Sequence, residues 1–150
     1  MDQFKIAKWA VFLASVLLLT PQAWARSRDQ ALFKYVAGTE SIPKDCMGKL
    51  ELTETHLVYL CAEKSLSVPY SDITQLEFQP RVSTRIRKMK LAWTIKPTSA
   101  RGKHEGFFTV LFRAGRQMRA IILKVRDETM RPYMAEIDLK TGRPIESRQD

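Results

Sequence analysis

Chemistry in this sequence has few places to sit: two cysteines, Cys46 and Cys61, two histidines, His56 and His104, and one strongly basic run. The cysteines stand at the two ends of the stretch CMGKLELTETHLVYLC. Such a pair can ligate a metal, cycle as a redox couple, or staple two strands. A zinc site needs four ligands, more His or Cys than this chain offers at usable spacing. His104-Glu105 has the residue types of an acid/base pair, but sequence neighbours in an extended loop point apart, so a solvated loop is the plainer reading. The patterns G-x-S-x-G, H-E-x-x-H, G-x-G-x-x-G and the P-loop do not occur. No catalytic residue, metal ligand or cofactor site is assigned.

The basic run is RVSTRIRKMK, with Arg81, Arg85, Arg87, Lys88 and Lys90; Lys96, Arg101 and Lys103 follow it. If these side chains border one edge of a folded domain, they form a patch for phosphates or other polyanions. The competing reading is a solvated face of a generally basic protein. The whole chain carries a net charge of +9 and a pI near 9.8. That balance favours anionic partners without choosing among nucleic acid, lipid headgroups and acidic polymers.

The N-terminus narrows the choice. Lys5 and Lys8 precede the apolar run Trp9–Leu19, and Ala23-Trp24-Ala25 matches an A-x-A signal-peptidase site. Pro21 between them breaks a helix where a cleavable leader turns extended. The run falls short of the about 20 residues a membrane span needs. The expectation is a signal peptide over 1–25 cleaved after Ala25, and a periplasmic or secreted protein. An uncleaved tether is the alternative. The leader carries off Lys5, Lys8 and Asp2, so the charge belongs to the exported part. Nucleic acid is disfavoured for such a chain, the more so because Trp93, Phe107 and Phe108 sit in core-like alternation and not on a stacking platform.

The elements that must position these groups read as mainly β. Residues 26–33 form a flexible start, 34–146 one domain and 147–150 a tail. Ala31–Val36 is a helical turn or a first strand. GKLELT and HLVYLC form a hairpin about the polar TET, with Leu57, Tyr59 and Cys61 opposite Val58 and Leu60. KSLSVP and ITQLEF flank a Pro69–Asp72 turn. KMKLAWTIKP alternates Met89, Leu91, Trp93 and Ile95 against Lys88, Lys90, Thr94 and Lys96, and reads as a strand. FFTVLF and MRAIILKV flank a turn at Ala114–Gln117. Met130, Tyr133, Met134 and Ile137 then fall on one helical stripe, with Thr129 as expected N-cap, Gly142 as C-cap and Pro144 as stop. Tyr133 and Met134 read as core.

The expected class is α+β, mainly β: a six- or seven-stranded antiparallel small barrel or sandwich closed by one C-terminal amphipathic helix. The phrases GKLELTETHLVYL, LSVPYSDITQLEF and FTVLFRAGRQMRAIILKV, in that order, resemble the pleckstrin-homology-like superfold and its GRAM-like bacterial relatives. Gly38-Thr39 and Thr141-Gly142 are similar to positions in exported chains of unassigned role. The resemblance implies a binding or scaffold module, and no ligand residue carries over from it.

Register decides what the cysteines do. With Thr53-Glu54 as the turn, Leu50 faces Leu57 and Cys46 faces Cys61; with Glu54-Thr55, the cysteines are diagonal neighbours. Only direct opposition lies near disulfide range. A three-residue loop puts them on opposite faces. In an exported chain the favoured reading is a structural disulfide, against two buried free thiols. For function, the first expectation is an exported, non-catalytic module contacting a protein or peptide. The alternative is binding of anionic lipid headgroups or envelope polyanions through Arg81–Lys103, and the third is an enzyme of unrecognised type.

Overall fold

The computed structural model describes residues 31–147. The expected leader, the expected cleavage point after Ala25 and the last three residues lie outside the described part. Eight strands occur: β1 (Phe33–Gly38), β2 (Met47–Leu52), β3 (His56–Cys61), β4 (Lys64–Pro69), β5 (Ile73–Gln79), β6 (Glu105–Ala114), β7 (Gln117–Arg126) and β8 (Glu146–Ser147). Two helices join them, α1 (Thr84–Lys88) and α2 (Asp127–Thr141). The strand order is β4-β3-β2-β1-β7-β6-β5-β8, antiparallel throughout except where β8 lies parallel to β5.

The sheet is mixed and unclosed, which corrects the expected six- or seven-stranded antiparallel barrel or sandwich. After Pro69 a 3-10 turn at Tyr70–Asp72 swings the chain off β4, so β4 and β5 meet at a corner without a ladder between them. β8 is too short for sequence periodicity to reveal, and it covers only part of β5's outer edge.

Alternation in the strands builds the first core. Phe33, Tyr35, Leu57, Tyr59, Phe108 and Leu123 all face inward with essentially no exposure. The helix α2 closes this side with Met130, Tyr133 and Ile137, and Tyr133 meets Phe33 edge to face at 5.1 Å. The expected stripe is therefore correct, but the helix starts earlier than the expected Thr129 cap. Arg126 holds the N-cap position, and Asp127 and Glu128 occupy the first turn, where their charges complement the helix dipole. Pro132 consequently sits inside the helix and removes one backbone bond. Gly142 ends it in the left-handed region at φ 64°, its N–H donating to Asp138 O.

β6 is apolar on both faces: every residue from Gly106 to Phe112 is buried. Its second face, with Phe107 and Leu111 beside Ala120 and Ile122 of β7, needs its own cover. The long β5–β6 connection supplies it. Ser83 caps α1 by accepting from Ile86 N (3.3 Å), which turns Ile86 inward beside Val82. Residues 89–96 then run extended. Met89, Leu91, Trp93 and Ile95 are half-buried and Lys90, Thr94 and Lys96 exposed, as alternation requires. They do not form the expected strand, however. Their one bridge to the sheet joins Ile95 to Gly38, with Thr94 N also reaching Gly38 O. Trp93 satisfies its indole locally, on Met89 O (3.1 Å). The alternation records which side is buried, and the segment is a strap.

The hairpin register is Leu50 with Tyr59 and Leu52 with Leu57, the Glu54-Thr55 turn. That register alone would leave the cysteines diagonal, yet Cys46 and Cys61 are bonded, with Cα atoms 6.2 Å apart, inside the usual range. β2 leaves β3 after Lys49 and pairs with β1 at Gly48 and Met47 instead. A left-handed residue, Asp45 (φ 64°), then brings Cys46 back over β3. Gly48 permits the crossing, since a Cβ there would lie 2.7 Å from the Tyr59 ring and closer still to Leu60 O. The Tyr59 hydroxyl locks the same corner, 2.9 Å from Phe33 O and 3.0 Å from Cys46 O, and its ring stacks on Tyr35.

Two outcomes follow from this corner. Replacing both cysteines by alanine should cost about 3 kcal/mol, the loop-closure value for this separation, read from denaturant unfolding with m fitted for each variant, because the released unfolded chain exposes more surface. Burial raises Tyr35 and Tyr59 from the ordinary 10.0 to about 12. Their folded pKa lies above the unfolded one, so their contribution is intact below pH 10 and lost as pH climbs through about 12. Thermal midpoints should drop across that window, and tyrosinate absorbance should lag behind that of the unfolded chain.

Candidate functional site

The strap is where the basic run resides, and its alternation sorts the charges. Of the eight cations named from the sequence, all but Arg87 are exposed. The apolar partners face the sheet and the ammonium and guanidinium groups face water, so cover and charge come from one segment. The structure does not gather the eight into one cluster.

Arg85 is already engaged. Its Nη2 lies 2.7 Å from Glu77 Oε1 and 2.8 Å from Glu146 Oε2, and the hydrogen bond it donates to Glu77 leads in raising its pKa above the ordinary guanidinium value. Glu77 is buried at 2% exposure. Its Oε1 also accepts from Gln75 Nε2 (2.6 Å), while Oε2 has no hydrogen-bond partner. Arg85 therefore ties α1 to β5 and β8. Arg87 folds back, donating to Val82 O and Thr84 Oγ1. Arg81, Lys88, Lys90, Lys96 and Lys103 make up the outward set, and Arg101 is exposed beside them.

Two clefts lie along the strap's borders. Lys90 lines one of about 500 Å³, with Thr39–Ser41 at the end of β1 and Gln117–Arg119 at the start of β7. There Arg119 pairs with Glu40 at 3.4 Å. Lys96 lines a second of about 180 Å³, together with Lys44 and Lys124. Lys44, Arg119 and Lys124 escape a reading of the sequence because they sit in a turn and in strands far from the basic run. Their one local signal is Lys124, a cation within the apolar run of β7. Only the cross-strand register, which sets Lys124 beside Lys34 and Phe107, places it at the strap.

The remaining candidates resolve into structure. Both thiols are consumed in the disulfide. His56 Nδ1 lies 2.7 Å from Thr55 Oγ1 in the hairpin turn. His104 is exposed at φ 58°, and the Glu105 carboxylate is held by Lys124 at 2.6 Å. Thr39 stitches β1 to β7, its N–H donating to Ala120 O and its Oγ1 accepting from Ala120 N. Thr141 Oγ1 donates to Ile137 O and accepts from Arg143 N at the end of α2. Gly38-Thr39 and Thr141-Gly142 are thus pins of the fold. Among the described residues no helix is long and apolar enough to cross a membrane.

No protein-family model matches this chain, and no curated protein matches it.

The Arg85 arrangement is directly testable. Arg85→Ala leaves the buried Glu77 carboxylate with Gln75 alone and should cost about 1–3 kcal/mol. Glu77→Gln in that background should return most of the loss. Equal losses in the single and double variants would show that the pair contributes nothing specific.

Proposed function

We propose that this protein is an exported binding module that engages an extended anionic surface, lipid headgroups or an envelope polyanion, through the outer side of the strap. The observation that carries the reading is the outward projection of Arg81, Lys88, Lys90, Lys96 and Lys103 from a segment whose other side is anchored in a core. Export is supported by the leader-like N-terminus and by the disulfide, a bond that persists in oxidising compartments. The succession β1 to β7, broken only by the short α1, with α2 then packed on the inner face, supports the pleckstrin-homology-like reading, and with it a module that binds.

A protein or peptide partner is the second reading, and one observation favours it. β4 ends the sheet, bonded to β3 alone among the described strands, so its outer edge is open to an added strand. Val58 and Leu60 stand half-buried on the face of β3 that points away from the core.

Vesicle sedimentation separates the two. The purified protein should bind phosphatidylglycerol vesicles and dextran sulfate at low salt, ignore phosphatidylcholine, and release at high salt. Each lysine near an anionic surface is worth about 1 kcal/mol. The triple reversal Lys88→Glu, Lys90→Glu, Lys103→Glu should therefore weaken binding at least about tenfold. Comparing the vesicle and polymer arms identifies the source of the anion. Binding unchanged by the reversal would sink this reading, and capture of a defined protein that survives it would favour the β4 edge.

A further inference from the structure

The smaller cleft has a composition that the extended-surface reading does not need. Its floor is apolar, formed by Val36 and Ala37 of β1, Val82 of the strap and Phe107 of β6. Its rim carries Lys44, Lys96 and Lys124, against one carboxylate, Asp45. Lys124 is paired with Glu105, so the excess positive charge of the rim rests on Lys44 and Lys96 against Asp45.

The fold explains why a hollow forms there. The register of β1 against β7 slips between Tyr35 and Ala37, a bulge that breaks the alternation at Val36. The strap is pinned on one side by the Gly38–Ile95 bridge and on the other by Gly102 N on Pro80 O (2.9 Å). Between those pins residues 96–101 arch over the bulge, with Pro97, Thr98 and Ala100 forming the upper wall.

We infer that this cleft binds a small amphiphilic anion, a carboxylate or comparable acid with a short apolar body. An apolar lining with a few charged groups at its border is the usual make-up of a ligand site. The volume of about 180 Å³ equals about six waters and lies below the roughly 300–1,000 Å³ of sites for drug-sized ligands. It suits one short apolar group with its charge at the mouth. An inorganic anion would leave the floor unused, and a neutral apolar molecule would leave the lysines without a counter-charge. Both halves of the ligand are therefore required.

Calorimetric titration of the purified protein with octanoate tests this, with acetate and octanol as the two half-ligands. Octanoate should bind saturably, and the half-ligands at least tenfold more weakly. Ala100→Trp fills the cleft from an exposed position, and Lys96→Glu reverses the rim. Each should weaken octanoate tenfold or more, while Lys88→Glu with Lys90→Glu should leave it unchanged. Ala100→Trp should leave vesicle binding intact, which separates this site from the extended surface. Absent octanoate saturation, equal binding of octanol, or indifference to both cleft variants would overturn the inference. If Ala100→Trp lowers the melting midpoint appreciably, Lys96→Glu alone decides.

Discussion

A β-sheet that is apolar on both faces must be covered twice, and that requirement organises this protein. β6 is buried from Gly106 through Phe112 on both sides, and β7 contributes Ile121 and Leu123 to one face and Ala120 and Ile122 to the other. Burial of one aliphatic or aromatic side chain is worth about 1.5–3 kcal/mol, so neither face can be left to water. The amphipathic helix α2 takes one side. The other falls to a connection with little regular structure, which needs apolar residues at every second position to grip and polar ones between them to stay soluble. The strap's charges are a consequence of that division.

The opposite end of the sheet depends on a different device. At that end β4 is an edge with a single neighbour, although Leu57, Tyr59 and Val68 beneath it are fully buried. There the disulfide, the Tyr59 hydroxyl and the Tyr35–Tyr59 stack converge on the turn before β2. A covalent link and a buried hydrogen bond thus add to a well-packed corner, where a side chain on Gly48 would strike Leu60 O and the Tyr59 ring.

How much of this is legible in the sequence follows from what periodicity encodes. The paired strands β2–β3 and β6–β7 and the stripe of α2 are local patterns, and they read correctly. Periodicity of two reports which side of a chain is buried and nothing about whom its backbone bonds. Met89, Leu91, Trp93 and Ile95 show this, alternating perfectly on a strap. The cysteine pairing is legible as a residue count, but its geometry depends on β2 leaving β3 for β1, a long-range event. The exposure of the basic residues is legible. Their separation into an engaged Arg85, a folded-back Arg87 and two cleft rims is not, because Glu77, Glu146 and Lys124 arrive from other strands.

That separation also bears on what kind of anion the strap suits. Like charges on one segment repel and destabilise the compact state, and the structure limits this in two ways. Arg85 is neutralised by Glu77 and Glu146. Lys88 and Lys90 stand two residues apart, about 6–7 Å along an extended chain, and Lys96 is farther along, with Arg101 and Lys103 beyond it. The shortest of these spacings lies within the Debye length of about 8 Å at physiological ionic strength, so those neighbours still repel, while the wider ones exceed it and are largely screened. A compact anion would then meet only one or two of these groups at once. A surface of closely spaced phosphates or carboxylates would meet them all, with each contact adding to the next. Under the proposed function, that spacing favours extended anions over compact ones, and it leaves a single small acid to the proposed cleft, where lysines border an apolar lining.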